Sequence, residues 1–263
     1  MSIDENKIEE IAKQLLEAED KRKPIDPITD KNPKITIEDA YKIQLRIVDF
    51  KKQRGQIIVG KKIGLTSKGI QNLLGVNEPD YGHILNKMVI YEGEPLSLSQ
   101  LIQPKVEAEI AFLLKKDLNG PGVTVADVLD ATKGVMPAIE VIDSRIRDWK
   151  IKIHDTVADN ASGARILLAG RIMPIEEIDL RYIGMVLEKN GEVVATGAGA
   201  AVLGNPVQAV AWLANKLYEF DITLKSGEII MSGSFTAAVP VSSNDVIKAT
   251  FDHLGPVTLK FIL

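Results

Sequence analysis

Three glutamates in apolar, strand-like surroundings have the residue type and spacing of a metal site. Glu107 and Glu109 are separated by one residue, and Glu140 follows in a second apolar stretch. Because side chains alternate between the two faces of a strand, Glu107 and Glu109 are expected to point to the same face. A buried carboxylate is unfavourable unless it is paired, protonated or bound to a metal ion. Three hard oxygen ligands suit Mg²⁺ or Mn²⁺.

The alternative is that these glutamates lie on a solvated strand face, which is the commoner arrangement for an arbitrary Glu-X-Glu. The apolar neighbours count against it without deciding the question.

Two adjacent lysines, Lys61 and Lys62, lie in a strand-like segment that ends at Gly64. Strand alternation would send them to opposite faces, so one of the two could face a pocket. A desolvated lysine there would have a lowered pKa and could exchange protons. On the pattern alone, two surface lysines are the more common outcome.

Composition and motif searches exclude several other classes of function. The chain has no cysteine, which excludes disulfides and thiolate sites, and its net charge of −4 argues against nucleic acid or an anionic membrane as a partner. No apolar run has the length of a membrane span, and the first residues lack the pattern of a signal peptide, so a cytoplasmic location is expected. Residues 197–202 fail as a dinucleotide loop because Val202 stands where a small residue is required.

The order of elements predicts an α+β protein. Helical spacing over residues 4–20 and 37–54 indicates a small helical N-terminal lobe, with a capping pattern from Thr36 to Asp39. Further helices are expected at 67–74, 124–131 and 206–219, and Asn190-Gly191 predicts a hairpin. Strands are expected at 57–64, 88–91, 105–115, 134–142, 183–189, 192–198, 228–232, 246–252 and 256–262. We therefore divide the chain into an N-terminal lobe, residues 1–83, and a strand-rich metal-binding catalytic domain, residues 84–263.

Five segments occur in an order that resembles a known family. They are residues 60–67 (GKKIGLTS), 79–82 (PDYG), 106–111 (VEAEIA), 143–152 (DSRIRDWKIK) and 155–162 (DTVADNAS). This series closely resembles the 2-hydroxypenta-2,4-dienoate (2-keto-4-pentenoate) hydratases. These belong with the 4-oxalocrotonate decarboxylases in the fumarylacetoacetate-hydrolase superfamily. The resemblance extends from about residue 36 to the C-terminus.

The resemblance implies a fold, a metal site and site residues. The fold would be a mixed β-roll core that binds Mg²⁺ or Mn²⁺ through Glu107, Glu109 and Glu140. Lys62 and Asp80, both contributed by the N-terminal lobe, align with the acid/base residues of the hydratases. Ser162 would lie in a loop that binds substrate. The resemblance also implies a homo-oligomer that acts in the meta-cleavage degradation of aromatic compounds.

The implied reaction adds water to 2-hydroxypenta-2,4-dienoate and gives 4-hydroxy-2-oxopentanoate. Asp80 favours this hydratase, because the decarboxylases have an apolar residue at that position. Residues 234–240, by contrast, look more like the decarboxylase version. Relatives that act on longer dicarboxylates tend to have an arginine in that segment. Ala237 and Ala238 stand there in this chain, which argues against the binding of a second substrate carboxylate at that point. The alternatives are therefore 4-oxalocrotonate decarboxylase, or a subunit that is active only in complex with a paralogous decarboxylase.

Overall fold

The computed structural model describes residues 3–263. Within this range the chain forms seven α-helices and thirteen β-strands. The helices are α1 (Glu5–Lys21), α2 (Ile28–Lys31), α3 (Ile37–Gln53), α4 (Lys68–Leu74), α5 (Val125–Ala131), α6 (Ile153–Ala158) and α7 (Pro206–Tyr218). The strands are β1 (Ile58–Gly64), β2 (Asp80–Leu85), β3 (Val89–Ile90), β4 (Leu96–Ser97), β5 (Lys105–Leu114), β6 (Thr132–Ile142), β7 (Gly163–Leu168), β8 (Gly184–Lys189), β9 (Glu192–Ala198), β10 (Ile229–Met231), β11 (Val239–Pro240), β12 (Val246–Phe251) and β13 (Gly255–Ile262). None of the helices in residues 3–263 has the length and apolar character needed to cross a membrane.

The two long N-terminal helices form where the sequence predicts them. At the start of α3, Thr36 accepts a hydrogen bond from the backbone of Asp39, and the Asp39 carboxylate accepts one from the backbone of Thr36. This is the predicted capping box, which satisfies two backbone donors that lack helical partners. Helix α1 buries Ile8, Ile11 and Leu15 against the core. The two helices pack against each other and form the helical N-terminal part of the molecule.

The strands form two sheets that share one core. In the large, mixed sheet the order is β2-β1-β10-β5-β6-β7-β3, and β11 pairs with β5. In the smaller sheet the order is β4-β13-β12-β8-β9. The turn between β8 and β9 has positive φ at Asn190 and Gly191, as the predicted hairpin requires. Strands β12 and β13 contact β6, so the small sheet packs on the large one. The α+β prediction is confirmed.

The large sheet continues into the predicted N-terminal lobe. Strand β1 pairs with β10 on one side and with β2 on the other. Strand β2 (Asp80–Leu85) was not predicted, because Pro79-Asp80 is typical of a turn. The chain indeed turns there, but pairing between Gly64 and Asp80 starts a strand at once. The division of the chain between residues 83 and 84 into two domains stays a prediction, and in the structure β2 runs across this position.

Close backbone approach explains the glycines of several strands. A Cβ atom added at Gly197 or Gly199 would lie 2.6 Å from the carbonyl oxygen of Phe235 or 1.8 Å from that of Leu180. These two glycines therefore serve close backbone packing. At Gly60, on the strand that carries Lys62, an added Cβ would lie 1.9 Å from the carbonyl oxygen of Ile229 on β10. The junction between β1 and β10 therefore depends on the absence of a side chain.

Replacing Gly60 with alanine is expected to destabilise the protein, because the clash is with backbone that cannot rotate away. Overpacking of this kind typically costs about 1–3 kcal/mol. Urea unfolding followed by circular dichroism measures the effect. Gly184→Ala is the matched control, since a Cβ at this strand residue would meet no atom within 4 Å. Equal unfolding midpoints for the two variants would contradict the packing argument.

Candidate active site

The three glutamates meet on one face of the large sheet. Strands β5 and β6 pair antiparallel, with Glu107 opposite Glu140 and Glu109 opposite Ala138. Residues that lie opposite each other share a face, and so do residues two apart on one strand. Glu107, Glu109 and Glu140 each offer a carboxylate oxygen, and these oxygens lie within 4.8 Å of one another. Glu109 and Glu140 are buried, whereas Glu107 is half-buried and forms the more open side of the cluster.

Burial and mutual repulsion make this cluster unfavourable without a cation. Burial and the charge of Glu140 together raise the pKa of Glu107 to about 7. Burial together with the charges of Glu140 and Glu107 raises the pKa of Glu109 well above its usual range. Oε2 of Glu140 has no hydrogen-bond partner among the described residues, although it is fully buried. Three hard oxygen donors and an unpartnered buried oxygen fit a divalent cation such as Mg²⁺ or Mn²⁺.

Lys62 lies beside the glutamates. It stands on β1 opposite Met231 of β10, which in turn lies opposite Ala111, two residues from Glu109 on the same face of β5. Its Nζ is 2.7 Å from Oε1 of Glu140 and donates a 2.7 Å hydrogen bond to the carbonyl oxygen of Ala161. The side chain is buried, with 3% of its surface exposed.

The predicted separation of the two lysines is confirmed, but the predicted direction of the pKa shift is wrong. Lys61 points to the opposite face and pairs with Glu228 at 2.9 Å. Burial alone would lower the pKa of Lys62, yet the charges of Glu140, Glu107 and Asp80 outweigh it and raise the pKa. The neighbouring carboxylates therefore favour the charged form of Lys62.

Asp80 lies on the same face of the sheet as Lys62, at the next same-face position along the pairing of β1 with β2. It stands opposite Gly64, and Lys62 stands opposite Gly82. Burial raises the pKa of Asp80 to about 6, although the nearby Lys62 ammonium draws it down. Oδ1 of Asp80 has no hydrogen-bond partner in the described part of the chain. A carboxyl group that titrates near neutral pH can both take up and release a proton.

Ser162 follows Ala161, whose carbonyl oxygen contacts Lys62, and the hydroxyl of Ser162 is hydrogen-bonded to Asp159. The hydroxyl lies 3.4 Å from Oδ2 of Asp159, whose carboxylate forms a buried ion pair with Arg145. The role of Ser162 in binding substrate therefore stays a prediction. The carbonyl oxygen of the preceding residue, Ala161, reaches Lys62. Sequence reasoning missed this contact because a backbone carbonyl leaves no signal in residue types.

His83 has a structural role. The ring is buried, and its Nδ1 lies 3.0 Å from Oε1 of Gln44. Burial lowers the pKa of His83 to about 3, so the ring is neutral.

Comparison with known proteins places this site in a family. Residues 76–262 match the family described as fumarylacetoacetate (FAA) hydrolase C-terminal. A 2-hydroxypent-2,4-dienoate hydratase from Pseudomonas putida is 51% identical over 84% of this chain and 100% of its own length. A 2-hydroxyhexa-2,4-dienoate hydratase from Comamonas testosteroni is 44% identical over 98% of both chains. The structure of 4-oxalocrotonate decarboxylase from Pseudomonas putida G7, complexed with magnesium and adipate, has a TM-score of 0.97, 42% sequence identity and 99% coverage of both chains.

The chain belongs to the fumarylacetoacetate hydrolase family. The family and the mixed β core implied by the sequence resemblance are confirmed.

Removing one carboxylate charge should weaken metal binding. Loss of an outer partner of a metal ligand typically lowers affinity about 10–100-fold. Glu109→Gln is therefore expected to bind Mn²⁺ at least about tenfold more weakly, as measured by calorimetric titration. Glu94→Gln, on an exposed turn, is the control. Unchanged Mn²⁺ affinity in Glu109→Gln would contradict the three-carboxylate site.

Proposed function

We propose that this protein is a metal-dependent hydro-lyase that adds water to 2-hydroxypenta-2,4-dienoate and forms 4-hydroxy-2-oxopentanoate. The observation that carries the proposal is the burial of Lys62 and Asp80 on the sheet face that holds the three glutamates. The names of the two hydratases support this substrate class, at 51% and 44% identity. The substrate would be a small 2-hydroxy-dienoic or 2-oxo acid.

Glu107, Glu109 and Glu140 would hold Mg²⁺ or Mn²⁺. When bound, such an ion supplies positive charge that stabilises an enolate as negative charge develops on the substrate. The three side chains are prearranged for this role because the register of β5 and β6 fixes them on one face.

The reaction needs proton transfers that balance around one added water molecule. The dienol gains a proton at C5 and loses one from its hydroxyl, which gives the 2-oxo-3-enoate. Water then adds at C4, a proton from that water is removed, and C3 gains one. Asp80 is suited to carry these protons, because its pKa of about 6 lets both forms exist near neutral pH. Lys62 keeps its proton and acts through its charge and its hydrogen bonds.

The second candidate function is decarboxylation of 4-oxalocrotonate. It is favoured by the TM-score of 0.97 to the decarboxylase and by the decarboxylase-like residues 234–240. The same enolate stabilisation would serve the loss of CO₂. Asp80 favours the hydratase, because a residue that handles the protons of water has no counterpart in the decarboxylation step itself. The homo-oligomer, a complex with a paralogous decarboxylase and a cytoplasmic location stay predictions.

An absorbance assay tests the proposed function. The purified protein is mixed with freshly prepared 2-hydroxypenta-2,4-dienoate, first with Mg²⁺ and then with EDTA, and the dienol absorbance is followed. We expect rapid loss that EDTA abolishes, with 4-hydroxy-2-oxopentanoate as the product. Loss at the spontaneous rate, together with CO₂ release from 4-oxalocrotonate, would replace the proposal with the decarboxylase. Activity only after mixing with a decarboxylase would identify a dependent subunit.

Lys62→Met should lower turnover by about 10²–10³-fold, the usual cost of removing one preorganised group that stabilises developing negative charge. Mn²⁺ binding should remain, because the variant leaves all three carboxylates in place. The matched control is Lys61→Met, which removes the neighbouring buried lysine from the opposite face of the same strand. Stopped-flow or steady-state kinetics measure the difference. Equal turnover of the Lys62 and Lys61 variants would remove Lys62 from the mechanism.

A further inference from the structure

The turn from Asn160 to Ser162 has an unusual backbone. Asn160, Ala161 and Ser162 have φ values of 55°, 47° and 54°, three consecutive residues in the left-handed region. Each such residue costs about 1–2 kcal/mol for an ordinary side chain, and asparagine tolerates it best. A strained turn of this kind persists only when its surroundings hold it, and such turns cluster at functional sites.

One anchor of the turn is the side-chain amide of Asn160. Its Oδ1 accepts a 2.8 Å hydrogen bond from the backbone N–H of His83, and its Nδ2 donates a 2.9 Å bond to the carbonyl oxygen of His83. His83 lies on β2, at one end of the large sheet. The amide thus bonds the backbone N–H and C=O of His83, which a further strand at this edge of the sheet would otherwise pair with. It fastens the turn to the strand that carries Asp80.

The second anchor is the buried ion pair between Arg145 and Asp159. Besides the carboxylate, the guanidinium donates to the carbonyl oxygens of Asp159, Asp143 and Gly163. These bonds tie the chain before and after the turn to the end of β6. The turn is therefore held at β2 through Asn160 and just beyond the end of β6 through Arg145.

The anchored turn presents the carbonyl oxygen of Ala161 to Lys62. Lysine has a flexible four-carbon stem, so its ammonium group needs fixed partners to stay in one place. Nζ of Lys62 has two such partners, Ala161 O and Glu140 Oε1, each at 2.7 Å. Without the Ala161 carbonyl, the ammonium would be free to move toward the other carboxylates.

We propose that Asn160 is a positioning residue, which acts on the reaction by holding the Ala161 carbonyl against Lys62. The role rests on the proposed function, because its effect on turnover is read with the dienoate substrate. Asn160 touches no carboxylate of the metal cluster through any hydrogen bond of the described residues. Replacing Asn160 is therefore expected to lower turnover, because the Lys62 ammonium group is displaced. Metal binding is expected to remain.

The test compares Asn160 with an asparagine that makes the same contacts elsewhere. Asn215 on α7 accepts a 2.9 Å bond from Val123 N and donates a 2.9 Å bond to Val123 O. Asn160→Asp keeps the shape and loses the donor, and Asn160→Gly removes the clamp while tolerating the positive φ. The controls are Asn215→Asp and Asn215→Ala, the latter suited to a helix.

We expect kcat of both Asn160 variants to fall about 10- to 100-fold, because a misplacement of about 1 Å has effects of this size. KM and Mn²⁺ affinity should change much less, which separates positioning from loss of substrate or metal binding. The Asn215 variants should lose comparable thermal stability and keep their turnover. An equal fall in kcat for the two pairs, or an unchanged kcat in the Asn160 variants, would overturn the proposal.

A second readout is independent of the substrate. Acylation of Lys62 by acetic anhydride, followed by peptide mass spectrometry, reports how firmly its ammonium group is held. We expect acylation to be several-fold faster in Asn160→Gly than in the wild type or in Asn215→Ala, and equal rates would contradict the positioning role. If the wild-type protein does not consume the dienoate, the proposed function fails, while this measurement still decides the role of Asn160.

Discussion

The repulsion among three closely spaced carboxylates, two of them buried, is the constraint on which the rest of the site depends. Two unit charges at 4 Å repel by about 4 kcal/mol where the effective dielectric constant is near 20. Glu107, Glu109 and Glu140 have oxygens within 4.8 Å of one another, and Lys62 supplies one positive charge. With Asp80 neutral, the ionised cluster carries two uncompensated negative charges. A divalent cation would balance them, and the pKa values of Glu107 and Glu109, raised by burial and by the neighbouring carboxylates, reflect the same cost of holding these charges together.

The parts of the site that could be predicted from the sequence are those set by local backbone geometry. Strand alternation placed Glu107 and Glu109 on one face and separated Lys61 from Lys62, because these are local rules of backbone geometry. That Glu140 stands opposite Glu107 depends on the register between β5 and β6, which no local pattern encodes. The direction of the pKa shift of Lys62 could not be predicted for a related reason. Burial can be inferred from apolar neighbours, but the carboxylates that raise the pKa come from other strands.

The elements that escaped prediction lie where local signals conflict with tertiary pairing. Strand β2 follows Pro79-Asp80, and the turn signal hid the strand that starts at Asp80. Strand β7 follows the left-handed turn directly, and its first residues read as a continuation of the loop. Residues 143–152 and 155–162 were informative only through the family resemblance, and the buried pair of Arg145 with Asp159 joins these two segments. The backbone conformation of Asn160 to Ser162 could not be predicted, because it is held by contacts to β2 and to the end of β6.

The distinction between water addition and decarboxylation is narrow because both use the same charged scaffold. A metal held by three glutamates and a lysine fixed beside them would stabilise an enolate in either reaction. What differs is the handling of water, which must lose a proton as it bonds to carbon. Asp80 lies outside the set of three glutamates, on the same face as Lys62 and opposite Gly64, and its pKa of about 6 would permit that transfer near neutral pH. In the proposed reaction, Asp80, which begins β2 at the edge of the sheet, would thus decide between the two, while the three glutamates nearer its centre would serve both reactions.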